Sequence, residues 1–493
     1  MASEGESGSL RDEADKASDS RTGRDTSTAR ESRRGRGRGR GNAAGSSRYG
    51  QIHFVNVSHP GDVRHQMTDI RRFVMRGGNQ QRRTQESGQQ NPPATRARLG
   101  SDDSSPGRSL PPLGSFPVPG DTRMLELVRF ANEVTDVYIP FRATWFEVSL
   151  MDPGAFEVIL GNNASFWERM ATNNTVSKTP EVMRHYSQSI VQLRQRLDDE
   201  TAVRGQGIVA NVLGHVCLNM RHCDWATWKV HMDGLCLILN TRGGLCDLAY
   251  PIVLLILFYD LVGAIVFDTS PRFPLYASFG IPSPNGDILS TSPRLRALVL
   301  RLAQKFDMVA AGEALTKMSH MSGIIKEKSR SSNFWKKDVD GLLMISPALH
   351  FLLSMPRLPD DYMTHANRGD LVTRELVRLT CLTIMSVLKE KFSFFTVERA
   401  GLQARLVQFV AANIRHVEPD YFDIKVWALI TGALMEERSL RDLYINEIKH
   451  IMMMTNTSVG NLIHITQEMV WIDALTSSSA NELIQDIDDG NSL

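Results

Sequence analysis

DWATWKVHMDGLCLILNTRGG, residues 224–244, spells out a helix together with both of its ends. Asp224 precedes the run, where its carboxylate can accept from the exposed N–H groups of a first helical turn. Trp225, Trp228, Met232, Leu235, Cys236 and Leu239 then recur at helical spacing and line one face. Arg242 suits the negative end of the helix dipole, and Gly243 can take the left-handed conformation that stops the helix. The pattern predicts an amphipathic helix over 225–242.

The next run, PIVLLILFYDLVGAIVFD (251–268), starts with Pro251 at a first-turn position and is apolar on nearly every side. Its 17-residue stretch 251–267 is shorter than the roughly 20 residues a membrane span needs, and Asp260 sits in its middle. It reads as a central core helix, with no membrane partner.

Working outward, helical periodicity continues over 122–136, 181–198, 207–221, 292–307, 370–392, 396–415, 422–437, 439–454 and 459–486. Alternating strand patterns are nearly absent. The expected fold class is all-α, a large multi-helix domain of stacked antiparallel helix pairs over 121–493. The apolar and charged shares, 42% and 23%, are ordinary for a chain that builds its own core. Five cysteines, none at C-x-x-C spacing, suggest a reducing compartment rather than a disulfide scaffold.

Residues 1–120 differ. They hold 20 basic against 13 acidic residues, while the other 373 hold 36 against 42. Residues 1–50, rich in Ser, Gly and Arg, are expected to be a disordered basic arm, and 77–120 a disordered Gln/Pro-rich linker. Between them, 51–76 reads as a short strand–helix docking motif, with Val63, Met67, Ile70 and Val74 on one stripe. The first twenty residues have no apolar stretch, so no secretory leader is expected. Arg33, Arg34, Arg36, Arg38 and Arg40, interleaved with glycine, form the strongest local charge feature. Open backbone and guanidinium groups suit unspecific phosphate contact or nuclear import, although a merely solvated tract has the same composition.

Other chemistry finds little footing. His215, Cys217, His222, Cys223, His231 and Cys236 are spread over two expected helices and fit no closed zinc pattern, so no metal is expected. Gly205-Gln206-Gly207-Ile208-Val209-Ala210 matches G-x-G-x-x-A but follows a charged helical stretch instead of a strand, so no dinucleotide cofactor is expected. No G-x-S-x-G, H-E-x-x-H or phosphate-loop motif occurs, and no catalytic residue is nominated.

The combination Asp224-Trp225-x-x-Trp228-x-x-His231-x-x-Gly234-Leu235, then Arg242-Gly243-Gly244, resembles the signature of the fungal-specific transcription factor domain. Asp260 and Ala264, followed by Pro271, Phe273 and Pro274, are similar to the stretch that comes next in that family. The segment FVNVSHP…IRRFVMR resembles a short N-terminal element of many members. The resemblance implies a nuclear, non-enzymatic, all-helical regulator, often of metabolic or secondary-metabolite gene clusters. The family's usual DNA reader holds two zinc ions on six cysteines, and this chain has no cysteine before Cys217. Cys223 also stands where the family often has glycine. Stripe-and-cap logic reads the motif residues as architecture, with His231 in a local core hydrogen bond.

The expected function is transcription regulation in the nucleus, through protein partners that are other regulators or a second copy. DNA contact by the arm would be unspecific. The alternatives are a scaffold or decoy that titrates another regulator without touching nucleic acid and, with least support, a pathway enzyme.

Overall fold

A computed structural model describes residues 116–133, 141–172, 178–275, 291–331, 333–394 and 396–489. The basic arm with Arg33, Arg34, Arg36, Arg38 and Arg40, the docking motif and nearly all of the linker lie outside these residues. Among the described residues there are seventeen α-helices and no strand. The all-α expectation holds.

The N-terminal helices are α1 (Thr122–Glu133), α2 (Arg142–Ser149), α3 (Pro153–Thr172), α4 (Pro180–Leu197), α5 (Glu200–Val203) and α6 (Gln206–Arg221). A small core joins α1, α3 and α4 through Leu127, Val128, Phe156, Val158, Leu160 and Val182, with Leu218 of α6 closing it. Next come α7 (Trp225–Arg242) and α8 (Tyr250–Phe267). Only His222, Cys223 and Asp224 separate α6 from α7, so the two helices turn back on each other. Cys223 makes that turn at φ 53°, a left-handed conformation that favours glycine.

The larger core runs from α6 to the C-terminal helices: α9 (Pro293–Leu302), α10 (Val309–Lys328), α11 (Asp338–Ser354), α12 (Arg368–Lys391), α13 (Arg399–Asn413), α14 (Phe422–Met435), α15 (Asp442–Thr455), α16 (Val459–Gln467) and α17 (Asp473–Asp489). Two helices are enclosed on nearly all sides. In α8 every residue from Ile252 to Ile265 is buried, packed by α2, α6, α11 and α13. The helix is apolar and long enough to cross a membrane by composition alone, and these neighbours surround it here. The 24-residue α12 is packed by α10, α11, α13 and α14.

α12 carries charge into the interior. Arg378, fully buried, donates to both oxygens of Asp268 at 2.7 and 3.0 Å and to both oxygens of Glu375 at 2.9 and 2.6 Å. Burial alone would lower its pKa, but the two carboxylates outweigh it and hold the guanidinium above its ordinary value. Asp268 ends α8 at φ 50°. Arg405 finishes that helix by donating to the Ile265 and Val266 carbonyls at 2.7 and 3.0 Å, satisfying acceptors a helix end leaves open. Lys389 and Glu398 form a second interior pair.

Several element expectations need correction. α2, α3, α5, α10 and α11 have no counterpart among the expected helices. Gly161, Asn162 and Asn163 weaken the local signal of α3, and Pro347 sits inside α11, so tertiary packing outweighs propensity in both. The single helix expected over 459–486 is two, broken where Met469, Val470 and Ile472 turn into the core and the Val470 carbonyl accepts from Trp427 Nε1 at 3.1 Å. The run expected over 292–307 stops at Leu302.

Candidate functional site

A shallow cleft opens where α2, α3 and α6 meet beside the end of α1, with about 50 Å3 of room for water-sized groups, well below the size of typical small-molecule sites. Helical spacing brings its walls together. Arg142, Trp145 and Phe146 share one face of α2; Ile159, Asn162, Asn163 and Phe166 share one face of α3; Cys217 and Arg221 lie one turn apart on α6, and Ala131 comes from α1. Apolar surface prevails, and Arg142, Asn162, Asn163 and Arg221 supply the polar groups.

Asn162 is buried, and both protons of its amide are engaged, Nδ2 donating to the Val158 carbonyl at 3.0 Å and the Gly214 carbonyl at 3.2 Å. That fixes the amide orientation, because a flipped group would set an oxygen against two carbonyls. Its Oδ1 is buried with no hydrogen-bond partner. Arg221, half-buried, donates from Nη1 to the Asn162 carbonyl at 3.3 Å and lies 5.5 Å from the Phe166 ring centre. No carboxylate pairs with it among the described residues. Behind the wall, burial raises the Cys217 thiol and Tyr259 phenol pKa values, so both are neutral. Trp145 packs on Tyr259 at 6.0 Å between ring centres. The cleft thus sets a half-buried cation beside aromatic side chains, while the Asn162 Oδ1 is sealed from solvent.

The cleft was not singled out from sequence. Its polar residues belong to α2 and α3, whose helical period is weak, and to the polar end of α6, where a lone arginine carries no signal.

The residues that were singled out on α7 serve the fold. Asp224 Oδ1 accepts from the Thr227 amide at 3.2 Å, and its Oδ2 pairs with Lys178 Nζ at 2.7 Å. Trp225 meets Trp228 edge-on at 5.9 Å and Phe267 at 6.2 Å. Gly243 ends the helix at φ 86°, and the amide of Gly244, at φ 106°, donates back to the Leu239 carbonyl at 2.8 Å. Arg242 stands in the last turn with Nε and Nη1 buried and unpartnered. Gly234 departs from the packing role expected of it, because a Cβ there would meet nothing within 4 Å.

Asp260 explains the second half of the pattern. It faces the stretch Pro271-Arg272-Phe273-Pro274 and accepts from the Arg272 amide at 3.1 and 2.8 Å and the Phe273 amide at 3.0 Å. Burial still raises its pKa, against the pull of these amides. The Arg272 guanidinium reaches back to Asp233 at 2.8 Å and over the Trp228 ring at 5.7 Å, while the Phe273 carbonyl lies 3.1 Å from His350 Nε2. The segment is a strap that ties α7, α8 and α11 together.

His231 lies 3.0 Å from the Tyr186 hydroxyl and stacks on His215, with ring centres 4.9 Å apart. Burial lowers both imidazole pKa values, that of His215 strongly, which keeps the stacked rings neutral. Ser189 Oγ is 3.0 Å from His215 Nε2, a spacing that suits a serine nucleophile and its base. Ser189 is fully buried between α3, α4 and α6, and it donates to the Gly154 carbonyl at 2.7 Å, so the pair is a core network with no room for a substrate. Of the other residues weighed as metal ligands, His222 lies 3.4 Å from Ser165 Oγ, Cys217, Cys223 and Cys236 are free thiols, and no three His, Cys, Asp or Glu side chains converge among the described residues. Gly205 caps α6 directly after the helical α5, the context expected of a helix–helix corner.

In comparisons with known proteins, no family model, no curated protein and no solved structure matches the chain.

Proposed function

We propose that the chain is a nuclear regulator of transcription, akin to the fungal transcription-factor domain it resembles but without a zinc-cluster reader. One joint observation supports the reading. The two halves of the resembling pattern, on α7 and on 260–274, meet as a single unit: Asp260 holds the Arg272 and Phe273 amides while Arg272 crosses to Trp228 and Asp233. A sequence pattern that encodes one strap argues for shared architecture, and function follows from that by analogy.

In this reading the helical body selects the companion protein, another regulator or a second copy, and catalyses no reaction. The Arg33–Arg40 tract adds unspecific, salt-sensitive phosphate contact. The genes served belong to a metabolic or secondary-metabolite cluster. The test is to map nuclear location and chromatin occupancy of the full chain and of a chain lacking residues 1–50. Nuclear residence is expected for the full chain, with occupancy weakened in the truncation. Complete exclusion of the full chain from the nucleus would overturn the reading.

A further inference from the structure

We propose that the exposed corner between α10 and α11 holds the phosphodiester backbone of duplex DNA, a contact made by the helical body and separate from the Arg33–Arg40 tract. The phosphate contact rests on the geometry of the corner; only the choice of DNA as the duplex rests on the transcriptional reading. Residues 326–337, KEKSRSSNFWKK, carry five cations and one acid, whereas residues 121–493 together carry 36 basic against 42 acidic side chains. Lys326, Lys328, Arg330, Lys336 and Lys337 are all exposed. Lys326 and Lys328 close α10, where cations suit the helix dipole, but the dipole accounts for only these two.

Hydrogen bonds hold the corner in one shape. The Ser329 amide donates to the Ile325 carbonyl at 2.8 Å, the Ser331 amide to the Lys328 carbonyl at 3.1 Å and the Lys337 amide to the Phe334 carbonyl at 3.2 Å. Phe334 and Trp335 pack inward on Phe392, with ring centres 5.3 and 5.0 Å away. That packing brings the end of α12, with exposed Lys391, beside the corner. Few acids answer this charge. Lys337 lies 3.7 Å from Asp340, while Asp338 accepts from the Phe141 and Val339 amides. No carboxylate pairs with Lys326, Lys328 or Arg330 among the described residues.

The make-up of the surface selects the partner. No large apolar side chain is exposed on the described residues of the corner. Protein interfaces are built round apolar and aromatic anchors and are depleted in lysine and serine, and a membrane-surface element needs an apolar face to insert. Lysine and arginine with Ser331 and Asn333 exposed among them match a phosphate contact. Such a contact positions the protein on a duplex without reading its bases.

The test uses the full-length chain with Arg33, Arg34, Arg36, Arg38 and Arg40 each replaced by Ala, so that the tract contributes nothing. Fluorescence anisotropy follows its binding to a mixed-sequence duplex DNA over a salt series, and binding that weakens with salt is expected. Adding Lys326→Glu, Lys328→Glu and Arg330→Glu together should weaken binding about tenfold or more and make the log–log salt slope shallower by about 2–3. Charge reversal to Glu at Arg194, Lys229 and Arg301, exposed on α4, α7 and α9, changes net charge equally and should leave the slope nearly as it was. Circular dichroism identifies a variant that fails to fold, and the corresponding triple Gln variant then decides. No binding by the tract-free chain, equal loss in the two triple variants, or tighter binding to duplex RNA, poly-glutamate or phosphatidylserine vesicles than to duplex DNA overturns the proposal. Exclusion of the chain from the nucleus would overturn the transcriptional reading and leave the measured phosphate contact standing.

Discussion

Three small residues on or beside the same helical layer meet quite different surroundings. Gly234 faces open space on the outer side of α7, so Gly234→Ala should raise stability by about 0.5–1 kcal/mol, the helix-propensity difference. Gly263 lies on α8 where a Cβ would run into the Trp228 indole, and Gly263→Ala should cost about 1–3 kcal/mol through overpacking. Cys223 holds a left-handed backbone that glycine adopts freely, so Cys223→Gly should stabilise by about 1 kcal/mol. Urea unfolding of the three variants checks all three signs, and a destabilised Gly234→Ala would mean that this face is already covered. At this scale the cap of Asp224 and the stop at Gly243 were legible, because capping depends on a few adjacent residues. The open setting of Gly234 was not, because a one-dimensional pattern cannot tell a glycine chosen for close approach from one with nothing near it.

Helices announced themselves in proportion to how strongly a stripe or a composition set them apart. α7 and α8 were legible almost to the residue, one by its caps and the other by an unbroken apolar run. α10 and α11, with Gly312, Gly323, Gly341 and Pro347 inside them, are helices because their neighbours enclose them. The cleft shares that origin: its walls are parts of α2, α3 and α6, and their convergence is a tertiary fact. The joint between α8 and α12 carries an expectation of its own. Arg378→Ala leaves Asp268 and Glu375 facing each other without their shared cation, and it should cost about 3–5 kcal/mol. Replacing all three by apolar residues of similar volume should recover much of that loss. Equilibrium denaturation of the single and triple variants separates the two outcomes, and equal losses in both would show that packing, not charge, holds the joint.

For the molecule as a whole, the stacked His215 and His231 set a direction for pH dependence. Both pKa values are lowered in the fold, so their contribution is present above the unfolded value of about 6.5 and is lost as pH falls below it. The unfolded chain then binds more protons, and stability should fall by up to about 1.4 kcal/mol per pH unit for each histidine. Chemical denaturation at pH 7.5 and 5.5 should show the decline, and a double His215→Gln, His231→Gln variant should flatten it; an unaltered slope in that variant would assign the effect elsewhere. The enclosure of α12 has a consequence for the gene itself. Its interior charges, Arg374, Glu375, Arg378 and Lys389, are sheltered by segments encoded both before and after it. A ribosome that stops ahead of α14 therefore releases no shorter working fold, only a chain with a stranded row of ions. Nonsense mutations late in the reading frame should behave as complete losses, not as truncated variants with partial activity.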